Sequence, residues 1–220
     1  LLLGVQMKGY FISFEGGEGC GKSTQIKRLK DYVASLKNVD NFVFVKEPGG
    51  TPLTDELRRL ILDYEVDSPL PMTELLLLCA SRVENVQKRI LPALSQGKVV
   101  IADRFYDSTI AYQCSARNIM PVEDLLALTK KIIGDVKPDL TFYFKLSPEE
   151  AFARKNKMEE KLDRIESEGL EFHHKVQAGY DYISKVENDR FYTIDASKSP
   201  EEIFSEILKV LKEKIPQFLN

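Results

Sequence analysis

A glycine-rich run, Gly16-Gly17-Glu18-Gly19-Cys20-Gly21-Lys22-Ser23-Thr24, follows the strand-forming stretch Tyr10-Phe11-Ile12-Ser13-Phe14. Gly16, four further residues and then Gly21-Lys22-Ser23 is the spacing of a loop whose backbone amides wrap a nucleoside triphosphate. The glycines let the main chain close on anionic oxygens, the helix after the loop turns its positive end toward them, and Lys22 adds a point charge. Ser23 offers a hydroxyl to Mg²⁺. The whole run is therefore expected to bind a nucleoside triphosphate with Mg²⁺. A second candidate pair, Asp103-Arg104, ends the apolar run Val99-Val100-Ile101-Ala102. There a carboxylate can orient the Mg²⁺ water shell or an acceptor, and a guanidinium can meet a phosphate held by the first loop. A salt bridge that only ties down a loop is the plain alternative for this pair.

Chemistry of that kind needs both loops at one edge of a sheet, and the pattern supplies it. Ile26, Leu29 and Val33 at helical spacing predict a helix from about Ser23 to Lys37. The apolar run Phe42-Val43-Phe44-Val45 predicts a second strand buried on both faces, and Val99 to Asp103 a third. Asp139 to Leu146 and Phe191 to Asp195 predict the fourth and fifth. Strand, helix, strand with short connections gives right-handed parallel units, in which ligands collect at the carboxyl ends of the strands. Between them, helices are predicted from Thr54 to about Asp63, from Ser68-Pro69 to Leu94, from Asp107 to Ala116 and from Pro121 to Ile133. Four consecutive leucines, 75 to 78, predict that the second of these is buried all round. Ser147-Pro148-Glu149-Glu150 reads as a helix start with a serine cap, and so does Ser199-Pro200-Glu201. Phe172 to Val186 reads as an amphipathic helix. The charged stretch from Arg154 to Arg164 has too few apolar residues to pack and is expected to be a mobile surface segment.

The residues after Asp103 extend the signal. Asp103-Arg104-Phe105 continues as Ser108-Thr109 and Ala111-Tyr112-Gln113, which resembles the signature of thymidylate kinases. Further matches are Phe14-Glu15-Gly16, Glu47-Pro48-Gly49-Gly50-Thr51, Ala80-Ser81-Arg82 and Leu162-Asp163-Arg164-Ile165-Glu166. The resemblance implies a single P-loop, nucleoside monophosphate kinase-like α/β domain. It would have three layers, about five parallel strands with helices on both faces and a lid at about residues 154 to 166. It implies transfer of the ATP γ-phosphoryl group to dTMP by a homodimer. Catalytic roles fall on Lys22, Asp103, Arg104, Arg154 and Lys157, with Ser23 and Asp103 toward Mg²⁺. The acceptor site falls on Glu18, Pro48, Arg58, Leu78, Arg82, Arg104, Ser108, Thr109, Tyr112 and Gln113.

Some of these roles have plainer alternatives. Glu18 is expected at the nucleotide sugar, since an acid in an anion-binding loop repels phosphate unless it points elsewhere. It would otherwise be solvent-exposed. Arg82 should reach the acceptor base or phosphate, against a helix-surface ion pair with Glu84 or Glu74. Thr109 should meet the base edge, against a bond to its own backbone. Tyr112 should border the base with Gln113, against simple packing.

Because the loop reads Gly-x-Gly-Lys, the resemblance assigns the missing basic group to the lid, where Arg154, Lys155, Lys157 and Arg164 are the candidates. The chain departs from the family at three places. Leu78 stands where a phenylalanine stacks on thymine, Lys46 stands where arginine precedes Glu-Pro-Gly-Gly, and Glu159 and Glu160 sit among the lid lysines. Leu78 keeps open a kinase for another nucleoside monophosphate. A nucleotide-hydrolysing switch is the reading from another class, but it lacks a guanine-reading Asn-Lys-x-Asp and gives Arg82 and Arg104 no purpose.

Composition narrows the partners. Among 220 residues, 34 Asp and Glu against 31 Lys and Arg leave a net charge of −3. No basic field therefore favours nucleic acid or an anionic membrane, and small-molecule partners are expected. Three widely spaced cysteines without a Cys-x-x-Cys pair indicate neither a disulfide framework nor a zinc site, which fits a cytoplasmic setting. Leu1 to Gln6 is too short to span a bilayer. His173 and His174, being adjacent, point to different helix faces and are both expected at the surface.

Overall fold

The structure is a computed structural model that describes residues 9–63, 68–158 and 163–219, side chains at 156–158 excepted. Its frame is one parallel sheet of five strands, β1 (Tyr10–Gly16), β2 (Phe42–Lys46), β3 (Val99–Asp103), β4 (Leu140–Lys145) and β5 (Phe191–Asp195), in the order β2-β3-β1-β4-β5. Because β1 pairs with β3 on one side and β4 on the other, the glycine loop leaves the sheet at its centre. Phe14 lies opposite Asp103, and Lys46 lies opposite Asp103 from the far side, so three candidate loops start at one edge.

Side-chain alternation along β1 feeds two cores. Ile12 and Phe14 pack toward Leu29 of α1 (Lys22–Ala34) and toward Ile203 and Ile207 of α9 (Pro200–Lys214). Phe11 packs on the opposite face with Leu75, Val86 and Ile110. At about 1.5–3 kcal/mol for each large side chain fully withdrawn from water, both faces hold the strand that carries the loop. β2 departs from the expectation of burial on both faces, because it is an edge strand whose Val43 and Phe44 are only half-buried.

Helix α2 (Pro52–Leu62) begins two residues before the expected Thr54. Thr51 is the cap, its hydroxyl accepts from the Thr54 amide, and Thr54 returns a bond to the Thr51 amide. α3 (Pro71–Asn85) begins at Pro71 rather than Ser68-Pro69 and continues through wider turns at Val86–Ile90 into α4 (Leu91–Ser95). It is not buried all round: Leu75 is fully buried but Leu76 is 55% exposed. The Asp107 helix divides into α5 (Tyr106–Thr109) and wider turns at Ile110–Ala116, followed by α6 (Val122–Ile133).

α7 (Pro148–Met158) keeps its helix past Lys155, where periodicity fails in sequence, and residues 159–162 lie outside the described residues. On the far side of that segment Arg164 and Ile165 are half-buried rather than free at the surface. α8 (Leu170–Val186) buries His173, which packs edge-on against Phe152 and Phe172; His174 alone is exposed. Among the described residues no helix is long and apolar enough to cross a membrane.

Candidate active site

The loop after β1 is shaped by its glycines. A Cβ on Gly16 would meet the Phe144 carbonyl oxygen at 2.6 Å, and Gly21, with φ 87°, caps α1 in the left-handed region open to glycine. Lys22 is buried, and its Nζ donates to the carbonyls of Gly16 at 2.9 Å and Gly17 at 2.8 Å. The lysine charge is thereby fixed inside the loop. Ser23, one residue on, faces the same cavity as Asp103 at the end of β3.

That cavity, about 740 Å³, joins nearly all the residues singled out in sequence. It is lined by Glu18 to Thr24 from the loop, by Pro48 and Arg58, by Leu78 and Arg82, by Asp103 and Arg104, and by Ser108, Thr109, Tyr112 and Gln113. Arg154 and Lys155 reach it from α7, whereas the side chain of Lys157 lies outside the described residues. Gly16 and Gly17 are not on its wall; Gly16 contributes its carbonyl to Lys22 and Arg104.

Arg104 is the hub of this cavity. Its Nη2 donates to Glu18 Oε1 at 2.5 Å and to the Tyr112 hydroxyl at 3.3 Å, and its Nη1 donates to Gly16 O, Ser108 Oγ and Tyr180 Oη. Glu18 is thus not simply solvent-exposed: it joins Arg104 and accepts from the Tyr112 hydroxyl at 2.8 Å. Burial pushes the Glu18 carboxyl upward, but Arg104, Lys22 and Lys155 outweigh it and hold it well below the usual carboxylate range. Burial raises the Tyr112 phenol, with Glu18 adding to it, so Tyr112 remains a donor.

Arg82 takes neither surface partner considered for it. It is 2% exposed, donates Nε to Glu47 at 2.9 Å and Nη2 to the Thr109 hydroxyl at 2.8 Å, and its Nη1 has no partner among the described residues. Thr109 therefore serves the arginine rather than its own backbone. Gln113 donates its amide nitrogen to Glu74, and Arg58 donates to the Pro48 carbonyl, so these two cavity residues are held by neighbours.

Sequence reasoning named Glu15 only within a motif match and gave no role to this carboxylate behind the wall. Glu15, fully buried in β1, accepts from the Phe105 amide at 2.6 Å, Ser108 Oγ at 2.6 Å and Tyr180 Oη at 3.1 Å. Burial, with Asp107 adding repulsion, pushes its carboxyl up to about 8 against the pull of Ser108 and Arg104. An acid in the middle of a buried strand was the available signal. Tyr180 comes from α8, 76 positions beyond Arg104, and no local spacing could have revealed it.

The site can bind a triphosphate chain at the loop and a second anion and ring on the Arg104, Arg82 and Leu78 side. Ser23 and Asp103 fit Mg²⁺: one hydroxyl and one carboxylate suit an ion that keeps several waters and takes substrate phosphate oxygens. No cluster of three metal-ligating side chains, which would suit a tighter cage, occurs among the described residues.

Comparison with known proteins points the same way. The family model described as thymidylate kinase matches residues 14–207. A thymidylate kinase of Mesoplasma florum is 43% identical over 205 residues, covering 93% of this chain and 96% of its own. One from Symbiobacterium thermophilum is 42% identical over 207 residues, covering 94% of both. The crystal structure of thymidylate kinase from Ehrlichia chaffeensis aligns with a TM-score of 0.75 and 34% identity over 93% of this chain and 98% of that one.

Proposed function

The chain belongs to the thymidylate kinase family, nucleoside monophosphate kinases that phosphorylate dTMP, and from that premise we propose how its residues divide the work. The glycine loop and Lys22 hold the ATP phosphates, with Ser23 and Asp103 toward Mg²⁺, which supplies charge neutralisation at the phosphoryl oxygens when bound. Arg104 meets the acceptor phosphate. Glu18, held beside it, accepts from the nucleotide sugar hydroxyl.

The base lies among Leu78, Arg82, Tyr112 and Gln113. Arg82 Nη1, a buried donor without a partner, suits a ring carbonyl, since a buried donor left unpaired is costly. Phosphoryl transfer asks little covalent chemistry of a protein and much positioning and charge compensation, which this cationic wall provides. Arg154, Lys157 and the rest of the segment from 154 to 166 act as a lid that closes over the phosphates and keeps water from the phosphoryl group. Support for the lid comes from its two ends. Lys155 pairs with Glu166 across it, and both line cavities beside the loop.

A homodimer is part of the proposal. Met72 and Leu76, one turn apart on α3, and Leu53 on neighbouring α2 are 45%, 55% and 54% exposed, an apolar face suited to a second copy.

The observation that carries the division of labour is Arg104 bridging Glu18, Tyr112 and the loop carbonyl at one wall of the cavity. Arg104→Lys tests it. A guanidinium grips a phosphate with two parallel bonds, whereas an ammonium offers one point charge. Steady-state kinetics should show a KM for dTMP raised about tenfold or more with the KM for ATP unchanged. Equal losses for the two substrates would remove Arg104 from the acceptor side.

A further inference from the structure

Glu74 belongs to none of the motifs in the sequence, yet it is 1% exposed and three donors converge on it. The Gln113 amide nitrogen and Arg117 Nε each donate to its Oε1 at 2.8 Å, and Arg164 Nη2 donates to its Oε2. Arg164, near the end of the lid segment, also donates Nε to the Ile61 carbonyl at 2.8 Å. One buried carboxylate on α3 therefore holds both the foot of the lid and a residue of the base pocket.

The informative bond is the one to the amide. A glutamine amide has two N–H donors on one side and a carbonyl acceptor on the other, and an unrestrained one can turn over to offer either. A carboxylate accepts only, so Glu74 fixes the Gln113 nitrogen toward itself and leaves the oxygen as the group Gln113 offers to the cavity it lines. Beside it, Arg82 Nη1 stands as a donor. An acceptor next to a donor matches a ring N–H adjacent to a carbonyl, the edge of a keto-pyrimidine. A cytosine edge carries an acceptor ring nitrogen and an amino donor, and would face acceptor with acceptor and donor with donor.

We propose that Glu74 is a positioning residue for base discrimination: by fixing the Gln113 amide it selects keto-pyrimidine over amino-pyrimidine nucleoside monophosphates. This rests on the reading of the Leu78, Arg82 and Gln113 wall as the acceptor-base site.

The test is the ratio of kcat/KM for dTMP to that for dCMP, measured on the full chain with ATP. Glutamine at position 74 offers N–H as well as oxygen, so Glu74→Gln frees the Gln113 amide to turn. The ratio should fall about tenfold or more, since a site built to hydrogen-bond one edge discriminates strongly only while its polar groups are fixed. Arg164→Ala removes the partner of the other carboxylate oxygen and should lower kcat while leaving the ratio within about twofold. A folded Glu74→Gln with an unchanged ratio overturns the proposal, and so does an Arg164→Ala that shifts the ratio equally, because Glu74 would then be only an anchor for arginines. Should Glu74→Gln fail to fold, Glu74→Asp, which keeps the charge but withdraws the oxygen by one methylene, is read by the same ratio. A wild-type chain that prefers dCMP, or phosphorylates neither nucleotide, overturns the base-site reading itself and the proposal with it. A wild type that prefers dTMP beside a folded Glu74 variant whose ratio is unchanged overturns the proposal alone.

Discussion

Arg104 adopts φ 69°, a left-handed conformation that costs a non-glycine residue about 1 kcal/mol or more. Its backbone amide donates to the Phe14 carbonyl at 3.1 Å and its guanidinium reaches five partners, so the surroundings over-determine the strained conformation. Glu15 underlies that arrangement through Ser108 and Tyr180, and it gives the molecule a testable pH dependence. Its folded pKa, about 8, lies above the ordinary 4.5, so between the two the folded state keeps a proton that the unfolded chain has released. Its contribution to stability is therefore fully present below the lower value and is lost as pH rises through the higher. Thermal melts from pH about 5 to about 9 should show Tm falling, and Glu15→Gln should flatten that fall. The same slope in both proteins would mean that Glu15 does not hold the proton. Leu78, on the wall with Arg82 and Tyr112, can press on a pyrimidine face but cannot stack on it. Aromatic pairing adds about 0.5–1.5 kcal/mol beyond area burial, so Leu78→Phe should tighten dTMP binding about two- to tenfold in a calorimetric titration. Unchanged affinity with an intact fold would place Leu78 away from the base.

Elements were legible where local chemistry decides them and less so where tertiary packing does. Ser147 and Ser199 announced their helices with a following proline and acids, and both hydroxyls accept from the amide three residues on. Thr51 carried the same signal before Pro52, but Thr54 in the next turn drew the start of α2 too late, although its role is to complete the cap. The four leucines misled because the run contains no polar residue to mark the outer face; only the packing of α3 decides that Leu75 is buried and Leu76 exposed. His173 was misread for a related reason: the aromatic pair that covers it, Phe152 and Phe172, comes partly from α7, and adjacency to His174 says nothing about that contact. For the lid, counting apolar residues missed that charged side chains also dock when a buried opposite charge waits for them, as Glu74 does for Arg164.

At the scale of the whole molecule, parallel order and apolar strands followed from the pattern, and they bring the ends of β1, β2 and β3 to one edge without further information. Which long-range pairs complete the site did not follow, because Glu47 with Arg82 and Glu15 with Tyr180 join positions 35 and 165 residues apart. The glycine loop and the wall of Arg82 and Arg104 line one cavity, and on the proposed division of labour the two substrates should react only with each other. The measurement that addresses this most directly is ADP release by the full chain with ATP and Mg²⁺, in the absence of acceptor and with each nucleoside monophosphate in turn. Release should depend on dTMP, one ADP for each dTDP formed, with dCMP and the purine monophosphates far poorer acceptors. ADP released equally fast without acceptor, or faster with a purine monophosphate than with dTMP, would contradict the account.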